Sequence, residues 1–360
     1  MLKSFFKNKT SLVLALLLPV QIIFLQILKT IPHFVETYYS LGLYPWLGKT
    51  SRTLFGWIPF SMGDLFYALL VITALRWLYE NVKRLKYEPV LFIVDIAGTV
   101  SIFYFMFHML WGFNYYREPL HKYLNIEAEY TTTQLIETTQ RLIKKSNDMH
   151  RALGYADSVK IDLPYSQKEM FASTANGYGN LKEKFPHLSI SPQSTKKSMW
   201  SLGLTYMGYS GYLNPFSGEA QVNGLIKTYK FPVVSCHEQA HQLGYAKENE
   251  ANFIATLATI NNDDPYIQYS GYIFALRYCV NEISRREPET YREILKTINP
   301  GILKSYKEMR DFWNSYDNPF EVFSKTFYNL FLKANNQPKG MKTYSYMVAL
   351  VVNYFEDREF

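Results

Sequence analysis

Phe231-Pro232-Val233-Val234-Ser235-Cys236-His237-Glu238-Gln239-Ala240-His241-Gln242-Leu243-Gly244 is the stretch on which the reading of this chain turns. Its apolar lead-in can bury one face of a helix, and Gly244 supplies the stop, because glycine accepts the left-handed conformation that ends helices. On that helix His237 and His241 are four apart and share a side, so both imidazoles can address one Zn²⁺. Glu238 stands beside them as a general base toward water. With seven His in 360 residues, an accidental H-E-x-x-H arises roughly once in a hundred such chains. The plain alternative is an exposed amphipathic helix with incidental His and Glu, and the flanking residues weigh against it.

Tyr245-Ala246-Lys247 reads as a tight turn, after which apolar residues at helical spacing (Ala251, Phe253, Ile254, Leu257, Ala258, Ile260) predict a second helix from about Glu248. In this hairpin Glu248 lies in the first turn, close to the end of the first helix, and its carboxylate can turn back to the metal. Asn252, four residues on, is placed to hydrogen-bond a ligand histidine and fix its tautomer. Glu250 is the rival third ligand, since a helical register read from sequence can slip by a residue or two.

Cys236 to Tyr245, Glu248-Asn249-Glu250-Ala251-Asn252-Phe253-Ile254-Ala255, the upstream Gly208 to Ala220 and Asn114-Tyr115-Tyr116-Arg117 together resemble a family of bacterial membrane proteins of unknown function, common in Bacteroidota. That family carries an HExxH, metallopeptidase-like motif, and the likeness runs over nearly the whole chain. The E-x-E-A-N segment is also similar to the ligand segment of gluzincins, among them the CAAX-processing, HtpX-like and ImmA/IrrE-like proteases. In those groups the Glu four residues before the Asp or Asn is the ligand, which implies Glu248 here. Two features depart from the pattern: the second motif follows His241 more closely than in most gluzincins, and Asn252 stands where Asp is commoner.

The apolar fraction of 48% is unevenly placed. Ser11 to Leu28, about Gly63 to Leu78, and Val90 to Phe113 are each long and apolar enough for a membrane helix. Ser61-Met62-Gly63-Asp64 reads as a capping box that starts the second, so Asp64 need not be an intramembrane charge. Asp95 and His108 are close enough to the ends of the third for interfacial placement. A signal peptide would need a small-residue cleavage site, and Gln26 to Pro32 is too bulky for one, so the first segment reads as an uncleaved anchor. Lys3, Lys7 and Lys9 before the first segment, and Arg76, Lys83, Arg84 and Lys86 around the second connection, place both on the cytoplasmic side. Three crossings then put the remainder outside, in the periplasm or beyond, on a multi-pass protein of the cytoplasmic membrane.

The expected organisation is a three-helix transmembrane anchor over 1–113 and an extracytoplasmic domain over 114–360. The resemblance implies an α+β, gluzincin-like zinc-peptidase fold for that domain, mostly helical with a small sheet. Thr131 opens a helix to about Leu153; Met199 to Met207 and Glu219 to Ile226 look strand-like; later helices are expected at Pro288 to Ile298, Pro300 to Tyr316, Pro319 to Ala334 and Thr343 to Phe355. In gluzincin folds a strand just before the active helix lies at the sheet edge and pairs with substrate backbone; Glu219-Ala220-Gln221-Val222-Asn223 is placed to resemble it, and on pattern alone it reads equally as an ordinary core strand with its turn at Asn214-Pro215. Cys236 and Cys279 read as buried free thiols rather than the disulfide an oxidising compartment would allow, because a bridge beside the site would constrain the ligand helix. The net charge of +7 comes partly from anchoring residues, and no basic, aromatic-interleaved patch points to nucleic acid.

The chemistry expected of His237, His241, Glu248 and Zn²⁺, with Glu238 as base, is hydrolysis of a peptide bond in a peptide or protein of the cell envelope. An oxyanion donor is also needed, for which Tyr245, Tyr272 and Arg277 are candidates. Hydrolysis of a cell-wall peptide or another amide would use the same metal chemistry. The competing class is a non-catalytic zinc-containing membrane sensor or scaffold. Glu238 argues against it, because a structural zinc site typically fills all four positions with protein ligands and has no use for a base.

Overall fold

The computed structural model describes the chain from Leu2 to Phe360, with side chains for all of these except residues 2–8, 228 and 343–345. The charges of Lys3 and Lys7 therefore lie outside the described side chains. Three long apolar helices come first: α1 (Leu2–Leu28), α3 (Met62–Asn81) and α4 (Pro89–Leu110), with α2 (Tyr44–Phe55) between the first two. Of these, Lys9–Leu28, Met62–Asn81 and Pro89–Leu110 are long and apolar enough to cross a membrane. At 1.5 Å per residue, twenty residues reach about 30 Å, the thickness of a bilayer's hydrocarbon core.

These helices are ordered by small contacts. Ser11 packs at Gly98 and Phe24 against Phe113, so α1 and α4 run parallel, and Gln21 Nε2 donates to Ser101 Oγ at 2.9 Å between them. Asp95 pairs with Arg84 at 2.9 Å near the start of α4. His108 donates from Nδ1 to the Tyr104 carbonyl at 2.9 Å, half a turn from its end. Ser61 caps α3, accepting from Asp64 N–H at 2.8 Å. Only half of the expected capping box forms: the Asp64 carboxylate turns to the Met199 N–H and the Ser198 and Tyr212 hydroxyls.

Beyond the spans, α5 (Thr132–Ala152) opens with a capping box from Thr131 and Gln134, and α6 (Gln167–Leu181) with one from Ser166 and Glu169. Three short strands follow: β1 (Thr195–Lys197), β2 (Gly211–Asn214) and β3 (Glu219–Val222), with the six-residue helix α7 (Ser201–Tyr206) between the first two. Met199 to Met207 is thus helical, against the strand expected there. The Ser198 and Ser201 hydroxyls bond locally to the Trp200 N–H and the Ser198 carbonyl, closing a turn that an extended chain cannot make.

The sheet order is β1-β3-β2, with β3 parallel to β1 and antiparallel to β2. The Glu219 strand is therefore central and fully buried, and it corrects the expectation of an edge strand. Both sides of its ladder are already taken by β1 and β2, so the edge positions belong to those two strands.

The core is built on a helical hairpin, α8 (Phe231–Gln242) and α9 (Glu248–Ile260), backed by α10 (Pro265–Arg286). Helices α11 (Pro288–Thr297), α12 (Pro300–Asn314), α13 (Pro319–Ala334) and α14 (Met347–Tyr354) complete the chain. Phe231, Val233, Cys236, Ala240, Phe253, Ile254, Ala255 and Ala258 are all at most 1% exposed; burying each large side chain contributes on the order of 2 kcal/mol. Both cysteines are free and buried.

The segment between α1 and α3 packs on the domain that follows α4. Glu219, wholly buried, accepts the Met62 and Gly63 N–H groups at the start of α3 and pairs with Lys196, whose ammonium also donates to the Phe55 and Phe60 carbonyls. A carboxylate at a helix N-terminus and a paired buried lysine fix the second span against the sheet.

Candidate metal centre

Helix α8 ends as its sequence dictates: Gly244 adopts φ +85°, its N–H donates to the His241 carbonyl, and the Tyr245 N–H reaches the Ala240 carbonyl. The remaining end carbonyls are satisfied from far away in the chain. Trp111 Nε1 donates to the His241 carbonyl at 2.8 Å, and the Tyr44 hydroxyl and Arg52 donate to the Gln242 carbonyl at 2.9 and 3.2 Å. Arg117 donates to the Gly244 carbonyl, pairs with Glu36 and stacks 4.1 Å from the centre of the Tyr245 ring. The return of the chain into α9 is thus held by the two segments that flank the spans.

That return brings His237, His241 and Glu248 together. One donor atom from each lies within 4.8 Å of the others, and Glu248 Oε2 is 3.2 Å from His237 Nε2 and 3.6 Å from His241 Nε2. Ligands held tetrahedrally at zinc distances are about 3.4 Å apart, and the two Glu248 contacts are close to that length, so the donor set is of a kind that could hold Zn²⁺. His241 Nδ1 donates to the Tyr245 carbonyl at 2.7 Å, which leaves Nε2 as the ring nitrogen that faces Glu248. Glu250 does not join them; its Oε1 accepts the Leu120 N–H at 2.9 Å and lies 3.6 Å from Lys247 Nζ. Asn252 is buried beside His237, and its Nδ2 lies 3.5 Å from the Tyr278 hydroxyl.

Charge at the site follows from burial and from these pairs. Burial opposes the charge of Glu248, yet hydrogen bonds and attraction from the two imidazoles outweigh it and hold the carboxyl well below its usual range. Burial likewise opposes a charged His241, but Glu248 overcomes it and raises the imidazole to about 9. His237 is lowered, by burial first, with Glu248 and more weakly Asn252 pulling the other way. Burial pushes the Glu238 carboxyl up to about 8, with smaller opposing effects of His241 and Glu248. Glu238 Oε2 is buried with no hydrogen-bond partner. Its Oε1 lies against β2, where a Cβ at Gly211 would come within 2.6 Å of it; only glycine leaves that space.

His237, Glu238, His241, Glu248 and Asn252 all line one cavity of about 970 Å³. Its other walls are Gly211 and Tyr212 of β2, Tyr67 of α3, Phe107 of α4, and Phe327, Tyr328 and Phe331 of α13. Tyr245, Tyr272 and Arg277, the oxyanion candidates from sequence, are not among the lining residues. Tyr328, which sequence reasoning missed, donates from its hydroxyl to Glu248 Oε1. No local pattern marks it: it is one of thirty tyrosines and lies eighty positions from its partner.

Fold and site together define a mostly helical protein with a small three-stranded sheet, three apolar helices suited to anchoring in a membrane, and a buried His-His-Glu cluster facing a cavity. Over residues 39–352 the chain matches, and belongs to, the family described as protein of unknown function (DUF3810). No curated protein and no solved structure matches it.

Proposed function

We propose that this protein is a membrane-anchored zinc metallopeptidase that hydrolyses peptide bonds in the cell envelope. The observation that carries the reading is the position of Glu238. A buried carboxylate with an unpartnered oxygen stands beside a three-donor cluster, and both face the same cavity. His237, His241 and Glu248 would hold Zn²⁺, which when bound supplies Lewis-acid activation of water and of a substrate carbonyl. Glu238 takes the proton from water at its free oxygen and returns it to the leaving amine. Tyr328 and Tyr245 position the ligands, the first through Glu248 and the second through His241. Strand β2 has β3 on one side and lines the cavity, so an extended peptide can add along its other side and pass Glu238 at Gly211.

Elemental analysis of the full-length protein, purified without chelators, is expected to give about one zinc per chain, because three N and O donors in this arrangement suit tetrahedral Zn²⁺. Protein that is folded and free of metal would sink the assignment.

For the membrane arrangement we propose a cytoplasmic N-terminus and a domain on the periplasmic or extracellular side. The start of α3 and the residue just after α4 contact the outer domain, whereas Arg84 and Lys86 lie at the other end of those spans, and basic connections stay inside. A reporter fused after Phe360 should be active only if it is one that works outside the cytoplasm. Activity of a cytoplasm-only reporter there would invert the topology.

A further inference from the structure

Helix α13 is built inside out for a water-soluble protein. Phe320, Phe323, Phe327 and Leu330, spaced to share one face, are 55%, 67%, 66% and 59% exposed, with Phe327 at the rim of the cavity. Its polar Glu321, Ser324 and Tyr328 turn inward: all three line the cavity, and Ser324 Oγ donates to the Tyr209 hydroxyl at 2.9 Å. An apolar face of this size turned to water is rare unless something covers it.

The position of the helix says what does. At its C-terminal end Phe331 meets Phe107, in the last turn of α4, with ring centres 5.9 Å apart. At its N-terminal end Asn318 donates to the Tyr206 carbonyl of α7, and α7 is preceded by Trp200, whose Nε1 reaches the Asp64 carbonyl at the start of α3. Helix α13 therefore bridges the domain-side ends of two candidate spans, which carry exposed apolar side chains of their own, Leu65 and Leu69 on α3 and Phe105 and Met106 on α4. At sixteen residues, about 24 Å, with one polar face, it is too short and too amphipathic to cross a bilayer.

We propose that α13 is seated in the leaflet on the domain side, with its phenylalanine face among the acyl chains, so that one wall of the site cavity is backed by lipid. The partner is the bilayer itself, and the proposal stands whether or not the site turns over a peptide.

The test uses the full chain in phosphatidylcholine nanodiscs carrying an environment-sensitive fluorophore on a single introduced cysteine: Phe323→Cys, Phe327→Cys, and Glu293→Cys on exposed α11 as comparison. The native Cys236 and Cys279 are wholly buried and stay in place. Labels at 323 and 327 are expected to lose about half of their emission to lipids spin-labelled at a shallow acyl position and almost none to aqueous iodide, with the reverse at 293. Iodide quenching at 323 and 327 without lipid quenching would overturn the proposal. So would protection from both quenchers, which would mean that protein, such as a second copy of this chain, covers the face.

Discussion

Glu238→Gln is expected to cut turnover by about 10²- to 10⁴-fold while leaving zinc content and fold intact. The amide keeps the shape of the side chain, which must fit against Gly211, and it cannot accept a proton. The three donors are untouched, so metal content should not fall. Stability should hold or rise, because Glu238 is buried, one of its oxygens has no hydrogen-bond partner, and a neutral group there escapes the cost of burying charge. Peptide cleavage, elemental analysis and thermal unfolding on the same preparation separate these effects. The inactive variant should also retain its substrate long enough for identification by mass spectrometry. A sensor or scaffold would be indifferent to the change. If the variant complements a deletion strain as well as the parent does, the peptidase reading is wrong.

Local chemistry made the hairpin legible. Gly244 was bound to end α8 wherever α8 lay, and the short turn after it brought the start of α9 near His237 and His241, with Glu248 and Glu250 left as rivals for the third position. The three long apolar helices were legible for a similar reason, since length and apolarity suffice to mark them. What could not be read was carried by long-range contacts. Tyr44, Arg52 and Trp111 hold the end of α8 across more than a hundred residues of chain, and Tyr328 completes the site from α13. Met199 to Met207 looked extended because its apolar residues alternate, whereas serine hydroxyls at 198 and 201 decided the turn. Glu219 to Val222 has the pattern of a strand in either place; only the partners β1 and β2 make it central. Asp64 was read as a cap, and its carboxylate instead secures the segment before α7.

Glu248→Ala is expected to lose zinc almost completely, whereas Glu250→Ala should keep it. Removing a supporting group around a metal ligand costs about 10- to 100-fold in affinity. Removing the ligand itself should cost more than about 100-fold, since only two imidazoles then remain. Glu250 is as deeply buried as Glu248, so burial alone does not separate the two. Direction does: Glu248 Oε2 faces both Nε2 atoms, while Glu250 Oε1 takes the Leu120 N–H. Glu250→Ala should accordingly show its effect in stability, with a loss of about 1–3 kcal/mol from the donor left unpaired, and a near-normal zinc content. Tyr328→Phe provides an intermediate case. It removes the hydroxyl that orients Glu248 and should weaken zinc by about 10- to 100-fold without abolishing it. Measured by competition with a chelator of known affinity, the order of zinc retention should run from Glu250→Ala, through Tyr328→Phe, to Glu248→Ala. Zinc lost from Glu250→Ala and kept by Glu248→Ala would move the third ligand to Glu250 and require α9 to turn in its register.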